Sequence, residues 1–477
     1  MTNPTTPRFD KAALDPDADG PGHEPQGPHD EETAAAARRP NAAELSRAAA
    51  AAEATAPVES TLSSYWHTYV QRLRGGDIGS LPAIGGLIVL VALFSGLQSS
   101  FRTLGSLANI IDQSSLTIFI AMGLVFVLLL GEIDLAAGTA AGVCAAILGR
   151  LSVGYGVPWY GAIPAAMAAG LLIGWLTGTL VAKVRIPSFV VTLALFLAFQ
   201  GVTLFIVNNF KGTKGNISIT DTFIGDLVNG HMSRWLGWVV AIVVVVGYAL
   251  VKISQSASRR RAGLVGEPIA LAGLKILGVA VLLALLVFLL NLNRSINKQP
   301  IFTRNGFLPA PKLEGVPWVV PLMLFFVIVW TFVLTRTRYG RHVYAVGGNA
   351  EAARRAGIPV DRIRISVFVI NSFMASIGGV LLASNNRSVD QGIGGGNTLL
   401  LAVGAAVIGG TSLFGGKGRP LDAIIGGLVV AVIAYGMSNL VQGTNSSAVQ
   451  FIVTGAVLLL AAAVDALARR RAGARGM

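Results

Sequence analysis

The chain has 477 residues, of which 53% are hydrophobic and only 13% are charged, and its formal net charge is +13. Because an average soluble domain has about a quarter of its residues charged, this composition excludes an ordinary soluble enzyme and a disordered scaffold. The basic balance alone would suit a nucleic-acid-binding protein, but the charges are sparse and are separated by apolar runs near the ~20 residues that a membrane-spanning helix needs.

Residues 1–60 differ in composition from the remainder, being rich in Ala, Pro, Gly and acidic residues. They hold eleven acidic and five basic residues, so 5 − 11 gives −6 and leaves +19 for residues 61–477. Such a segment buries too little apolar surface to offset its ordering entropy, and we predict a disordered cytoplasmic tail. We assign residues 61–81 to a juxtamembrane segment, 82–465 to a transmembrane domain and 466–477 to a basic cytoplasmic tail.

The apolar runs from residue 82 onward predict an all-α polytopic membrane protein with about 10–12 transmembrane helices. The runs lie near 82–98, 115–130, 134–150, 160–183, 188–208, 236–253, 271–291, 316–335, 366–384, 398–412, 421–441 and 447–465. Those at 115–130 and 398–412 are short and end in glycine-rich turns, which leaves them open to being broken or re-entrant segments. The spans themselves are expected to direct insertion, since no apolar stretch precedes residue 81.

The distribution of Lys and Arg predicts the orientation of the chain in a cell membrane. With the N-terminus inside and twelve alternating spans, 22 of the 32 basic residues after residue 60 fall on the inner side. Both termini are then cytoplasmic, the loops at 209–235, 292–315 and 385–397 face outward, and a long arginine-rich loop at 336–365 faces inward.

The first motif along the chain is the turn GEIDLAAG at 131–138, whose Glu132 and Asp134 lie close to a span boundary. Acidic groups at such depth often serve a transport path, but Asp134 can also cap the next helix while Glu132 anchors at the interface or pairs with a basic loop. A second turn with the same Gly-x-x-x-Leu-x-x-Gly spacing begins at Gly409, which suggests a parallel repeat. The residues that we predict for a translocation path are Glu132, Asp134, Asn371, Gly409, Gly410 and Thr411.

The loop at 335–365 carries the most specific local pattern. Two glycines and Asn349 predict a turn that ends in a helix N-cap, and residues 350–356 predict a short Ala-rich helix. Gly357 is placed to close this helix, and the following Ile-Pro prevents its continuation.

Charges within this short helix have the order that the helix dipole favours, with Glu351 in the first turn and two arginines in the last. A capped helix outside the bilayer can dock into a groove of another protein, or it can only shield the bundle. The residues that we predict for docking are Gly347, Gly348, Asn349, Glu351, Ala352, Ala353, Arg354 and Gly357.

The sequence offers no catalytic, cofactor or metal residues for this chain itself. The segment GGTSLFGGKG fails the spacing of a phosphate-binding loop, since Thr411 stands where its first glycine should be and Gly418 follows Lys417. The single cysteine cannot form an internal disulfide or a multi-cysteine metal site, and the histidines are scattered.

Four stretches together resemble a known family. Glu351-Ala352-Ala353, followed after three residues by Gly357, resembles the coupling-loop signature of ABC importer permeases in its sugar-importing, ribose- and xylose-type form. GEIDLAAG (131–138), RIPSFVVTLALFLAFQGV (185–202) and AVIGGTSLFGGKGR (406–419) resemble the same family in the expected order, so that the resemblance covers about 82–465. The Ile-x-Leu-Pro that follows in many ABC importers is absent, and two extra spans between 209 and 336 favour the xylose branch.

This resemblance implies the permease subunit of an ATP-driven sugar importer rather than an enzyme. It implies a homodimer, a cytoplasmic ABC ATPase that docks on residues 336–365 and holds ATP and Mg, and an extracytoplasmic sugar-binding protein. Three alternatives stay open: an ABC permease for branched-chain amino acids, an ion-coupled secondary transporter and a multispan membrane enzyme. A secondary transporter predicts mid-span acids, whereas the acids found here lie near predicted span edges; an enzyme predicts clustered His, Asp or Glu.

Overall fold

The computed structural model describes residues 80–210, 215–261, 269–294, 301–303, 306–308 and 313–441, with short helical stretches at 448–449 and 451–456 and at residues 459 and 463. The predicted tails at 1–60 and 466–477, and nearly all of the predicted juxtamembrane segment, lie outside the described residues.

The described residues form fourteen α-helices and two pairs of short strands. In chain order the helices are α1 (Leu81–Leu97), α2 (Leu104–Leu129), α3 (Ala137–Gly149, continued by a π-helical turn Arg150–Gly154), α4 (Trp159–Ala182), α5 (Ser188–Asn208), α6 (Thr222–Asn229), α7 (Arg234–Arg261), α8 (Ile269–Asn291), α9 (Val319–Arg336), α10 (Arg338–Gly348), α11 (Ala350–Arg355), α12 (Val360–Asn386), α13 (Gly396–Ile408) and α14 (Pro420–Leu440). The strands are β1 (Asn216–Ser218), β2 (Ile301–Thr303), β3 (Gly306–Leu308) and β4 (Ser388–Asp390), and they pair antiparallel as β1–β4 and β2–β3.

Nine of the helices in the described part of the chain are long and apolar enough to cross a membrane, and α1 and α13 are shorter apolar helices. These eleven coincide with eleven of the twelve predicted runs, which confirms the all-α fold class; the twelfth, at 447–465, lies largely outside the described residues. The prediction of a short span at 115–130 is wrong. Helix α2 has 26 residues and begins at Leu104, because Thr103 caps it by accepting a hydrogen bond from the Ser106 amide at 3.2 Å.

Prolines mark where several of these helices begin. Helices α4, α5 and α12 each start directly after a proline, at Pro158, Pro187 and Pro359. Proline lacks an amide hydrogen, which costs nothing at a helix start because the first amides have no intrahelical acceptor. Helix α12 ends at Asn386, and the next residue, Arg387, has the left-handed conformation with φ 49°.

Helices α2 and α12 lie at the centre of the bundle. In their most apolar stretches 78% and 67% of the residues are buried, whereas in those of α7 and α8 only 11% are buried. Helix α12 packs most closely against α4, where Gly170, Gly174 and Gly178 lie one turn apart and face its backbone. A β-carbon at Gly174 would lie 2.5 Å from the carbonyl oxygen of Phe368. Small residues at this spacing let two apolar helices approach closely, which maximises van der Waals contact between them.

The loop 336–365, the C-terminus of α2, and the turns at 130–136 and 409–419 all meet at one end of the bundle, which we call the arginine-rich end. The start of α1 lies at this end too, since Arg419 donates to Ser80 at 3.2 Å. Helix α6 and the β1–β4 pair lie at the opposite end, where Asp226 and Arg387 form an ion pair at 3.0 Å.

Helix α13 is a half-length helix that begins inside the bundle. Its first turn lies beside the first turn of α3, because a β-carbon at Gly138 would be 3.0 Å from the Leu399 amide. The segment before α13 also packs on α3, since the carbonyl oxygen of Gly394 would lie 2.9 Å from the same β-carbon on Gly138. Helix α13 has only 13 residues, which confirms that the run predicted at 398–412 is short.

Candidate functional site

The loop 336–365 contains two helices rather than the single helix that its sequence predicts. Gly347 and Gly348 form the last turn of α10 instead of a turn, and the chain bends at Asn349, where α10 ends and α11 begins. Thr337 caps α10 by accepting from the Gly340 amide at 3.1 Å. The extra helix follows from this cap and from an apolar face on which Val343 and Val346 are buried.

Helix α11 has the predicted caps at both ends. The Asn349 side chain accepts from the Ala352 amide at 2.9 Å, and the chain turns at Gly357 with φ 80°. The amides of Gly357 and Ile358 donate to the Arg354 and Ala353 carbonyls, each at 3.0 Å, which ends the helix in a Schellman-like turn.

The two faces of α11 differ sharply. Ala353 is buried against the bundle, whereas Glu351, Ala352 and Arg354 are exposed. Glu351 pairs along the helix with Arg354 at 3.1 Å and with Arg355 at 3.5 Å. The helix thus presents an ordered, charged outer surface while its inner surface stays attached to the bundle.

Helix α10 anchors this loop to the ends of neighbouring helices. Gly347 lies so close to α2 that a β-carbon there would overlap the carbonyl oxygen of Leu129. The same oxygen accepts from the Gly416 amide at 2.9 Å, and the Tyr344 hydroxyl donates to the Gly418 carbonyl at 2.7 Å. The loop, the end of α2 and the turn 409–419 therefore form one packed unit.

Tyr339 attaches α10 to α12 as well. Its hydroxyl shares a hydrogen bond of 2.8 Å with that of Ser366. Burial raises the pKa of Tyr339 to about 12, which outweighs the lowering by this bond, so the phenol stays protonated and neutral.

The structure brings together three of the residues predicted for the translocation path. Asn371 on α12 donates to Asp134 Oδ2 at 2.6 Å, and Asp134 Oδ1 accepts from the Ala136 amide at 2.8 Å. Both side chains are buried, with 0% and 2% exposure. Glu132 Oε1 lies 3.2 Å from Arg364 Nε, an ion pair that is not aligned as a hydrogen bond.

These contacts show what the two acids bind. Asp134 binds the start of α3, although the N-cap position itself is Ala136, two residues later than the sequence suggests. Glu132 pairs with a basic residue of the arginine-rich loop, which confirms one of its predicted roles.

Gly409, Gly410 and Thr411 lie apart from this cluster, in the turn that follows α13. Gly409 packs against the start of α14, since a β-carbon there would overlap the Asp422 carbonyl oxygen, and Thr411 is buried beside Gly418. The two similar turns touch, with Gly131 next to Gly415. Their matched glycines differ in conformation, φ being 73° at Gly131 but −66° at Gly409, so the equal spacing does not reflect equal backbone turns.

One acid within a span escaped the sequence analysis. Asp112 lies on α2 and is half-buried, and Oδ1 has no hydrogen-bond partner among the described residues. Arg294, at the end of α8, is the charge that acts on it, and its guanidinium donates to the Gly315 carbonyl at 3.1 Å. Asp112 stands three residues before the predicted span at 115–130 and is the ninth residue of α2, because the helix begins at Leu104. The signal for it was the polar segment just before the predicted span.

Comparison with known proteins gives this packed, multi-helix architecture a family. Residues 106–462 match the sequence profile of the family described as "Branched-chain amino acid transport system / permease component". The chain belongs to this permease family. It is therefore a multi-pass membrane protein, as the apolar helices indicate, and the predicted resemblance to ABC permeases is confirmed.

Within this family, the chain is similar to permeases named for sugar transport. It is 32% identical to the xylose transport system permease protein of Haemophilus influenzae over 380 residues, which are 80% of this chain and 94% of the relative. It is 32% identical to the Escherichia coli K12 xylose permease over 400 residues, or 84% and 94% of the two chains. The E. coli K12 ribose import permease is 31% identical over 379 residues, or 80% and 91%. No solved structure is significantly similar to this chain.

Proposed function

We propose that this permease is the membrane subunit of an ATP-driven ABC importer that moves a monosaccharide, xylose or a similar sugar, into the cytoplasm. The observation that carries the proposal is helix α11, which is capped at both ends, exposed on one face and attached to the bundle on the other. A helix with these two faces suits the transmission of force from a docked partner to the spans.

The names of the relatives support a sugar as the cargo. Those at 31–32% identity are named for xylose and ribose transport. Branched-chain amino acids, the alternative cargo, appear in the description of the whole family. We therefore favour a sugar.

The complete transporter that we propose contains two copies of this chain, a cytoplasmic ABC ATPase on residues 336–365 and an extracytoplasmic sugar-binding protein. ATP and Mg bind to the ATPase and not to this chain. The seven arginines between Arg336 and Arg364 lie at the arginine-rich end, which the positive-inside rule places in the cytoplasm together with both termini. Nucleotide binding to the ATPase then favours one of two packings of the bundle and so switches access to the path.

Co-purification with a candidate ATPase tests the docking surface. Gly357→Pro imposes a φ near −65° where the chain needs 80°, and it removes the amide that donates to Arg354. We expect this variant to reach the membrane but to retain less ATPase, while Gly201→Ala, which places a methyl group in open space on α5 and outside the docking loop, retains the wild-type amount.

Glu351→Ala removes both ion pairs on the exposed face of α11. Exposed pairs contribute only about 0–1 kcal/mol, so any large loss of ATPase would come from a direct contact with the partner. Normal assembly and transport by both the Gly357 and the Glu351 variants would show that the ATPase docks elsewhere.

A further inference from the structure

The loop that carries α11 continues almost directly into α12. Only residues 356–359 separate the two helices, and within them the Ile358 amide is bonded back to Ala353. Arg354 on α11 also lies 3.8 Å from Asp361 in the first turn of α12. A displacement of α11 therefore acts directly on α12, because this connection is short and hydrogen-bonded.

Helix α12 contacts the turn at 131–138, which carries Glu132 and Asp134, through two of its residues, Arg364 and Asn371. They are seven residues apart, which places them on one face and about 10 Å apart along the axis, since a helix rises 1.5 Å per residue and turns every 3.6 residues. Their partners, Glu132 and Asp134, lie two residues apart in the non-helical segment before α3. This segment runs along α12 and leads into α3 after two further residues.

The contact between Asn371 and Asp134 leaves one buried oxygen without a hydrogen bond in the part of the chain that the structure describes. Asn371 Oδ1 is buried without a hydrogen-bond partner among the described residues and faces α2, where a β-carbon at Gly123 would lie 2.8 Å from it. A buried acceptor without a donor is costly, and it favours any second packing that supplies a donor. The contact between Asn371 and Asp134 is thus suited to an arrangement that changes during a cycle.

We propose that Glu132–Arg364 and Asp134–Asn371 form a two-point latch that makes α3 move together with the ATPase-docking loop. These side chains then act as positioning residues for transport and do not line the path. The proposal rests on the proposed function, since it assumes that force enters through α11.

Charge reversal and reciprocal exchange test the latch in the full complex of permease, ATPase and binding protein, reconstituted in proteoliposomes. The readout is the number of labelled D-xylose molecules taken up per ATP hydrolysed, measured together with the amount of ATPase that co-purifies. We expect Glu132→Arg and Arg364→Glu each to assemble but to lower this ratio at least about fivefold, the low end of usual coupling effects. The double variant, with the charges exchanged, restores it.

Asp134→Asn combined with Asn371→Asp is the corresponding exchange at the buried contact. The amide introduced in place of Asp134 keeps an oxygen for the Ala136 amide and supplies a donor for the new carboxylate on α12. We therefore expect this pair to recover coupling that Asn371→Ala loses. Asp226→Arg, which breaks an ion pair at the other end of α12, is the matched control and should keep the wild-type ratio.

Each outcome bears on the proposal. Assembled single variants with a wild-type ratio overturn the latch, as do exchanged pairs that assemble but stay uncoupled. If the single variants fail to assemble, recovery by the exchanged pairs supports the latch and continued uncoupling refutes it. A wild-type complex that takes up no D-xylose with ATP overturns the proposed function itself, whereas a fully active wild type with indifferent variants overturns the latch alone.

Discussion

Two adjacent glycines at the end of α10 provide the sharpest test of how the docking loop is held. Gly347 packs against the end of α2, where a β-carbon would overlap the Leu129 carbonyl oxygen and lie 2.9 Å from its carbon and 3.1 Å from the Gly416 amide nitrogen. Gly348, the next residue, has nothing within 4 Å of the same position. Substitution by Ala therefore adds one methyl group in both cases, but only Gly347→Ala requires the backbones to separate.

The expected free-energy changes have opposite signs. Overpacking against backbone atoms costs about 1–3 kcal/mol, and the separation also weakens the 2.9 Å bond from Gly416 to Leu129, a loss of about 1 kcal/mol. Ala in place of Gly returns about 0.5–1 kcal/mol through helix propensity. Gly347→Ala thus loosens the docked loop by about 1–3 kcal/mol, while Gly348→Ala leaves it unchanged or slightly more stable.

Trypsin cleavage after Arg354 and Arg355 reports the opening of this loop in the purified permease. When opening and closing are fast relative to cleavage, the rate follows the open population, so about 1–3 kcal/mol corresponds to cleavage about 5–150-fold faster in Gly347→Ala. Gly348→Ala should be cleaved no faster than the wild type. Equal cleavage rates for the two variants would refute the packing of α10 against α2.

Two further substitutions test the cap of α11 and the packing of α12. Asn349→Ala removes the acceptor for the Ala352 amide and should destabilise α11 by about 1 kcal/mol, which we expect to weaken ATPase binding. Asn349→Ser keeps the cap and should bind the ATPase normally. Equal ATPase binding by the two variants would contradict the role of the cap. Gly174→Leu forces α4 away from Phe368, so we expect a lower yield of monodisperse protein by size-exclusion chromatography. Gly201→Leu, which enters open space on α5, should purify like the wild type.

Hydropathy alone located eleven of the fourteen described helices, because a helix that crosses lipid must be apolar over most of its length. It failed at the start of α2, where the first turns carry Asn109, Asp112 and Gln113 and so read as a loop. Asn109 and Gln113 are exposed and Asp112 is half-buried, whereas the apolar residues between and beside them, Ala108, Ile110 and Ile111, are buried against the bundle and hold these turns in the helix. Hydropathy measures affinity for lipid and therefore understates such helices.

Local chemistry predicted the caps of α11 because a helix end depends on residues adjacent in sequence. The partners of Glu132 and Asp134 lie more than two hundred residues away, at Arg364 and Asn371. No spacing rule connects residues so distant, so the sequence named Asp134 and Asn371 as candidates without pairing them. The close approach of Gly347 to Leu129 is likewise a tertiary contact that leaves no local pattern.

Uptake of labelled D-xylose by proteoliposomes that contain the permease, its ATPase and its binding protein tests the central claim most directly. We predict uptake that requires ATP on the side of the ATPase, requires all three components and persists when ionophores collapse the proton and sodium gradients. Uptake by the permease alone, driven by an ion gradient and independent of ATP, would contradict the account.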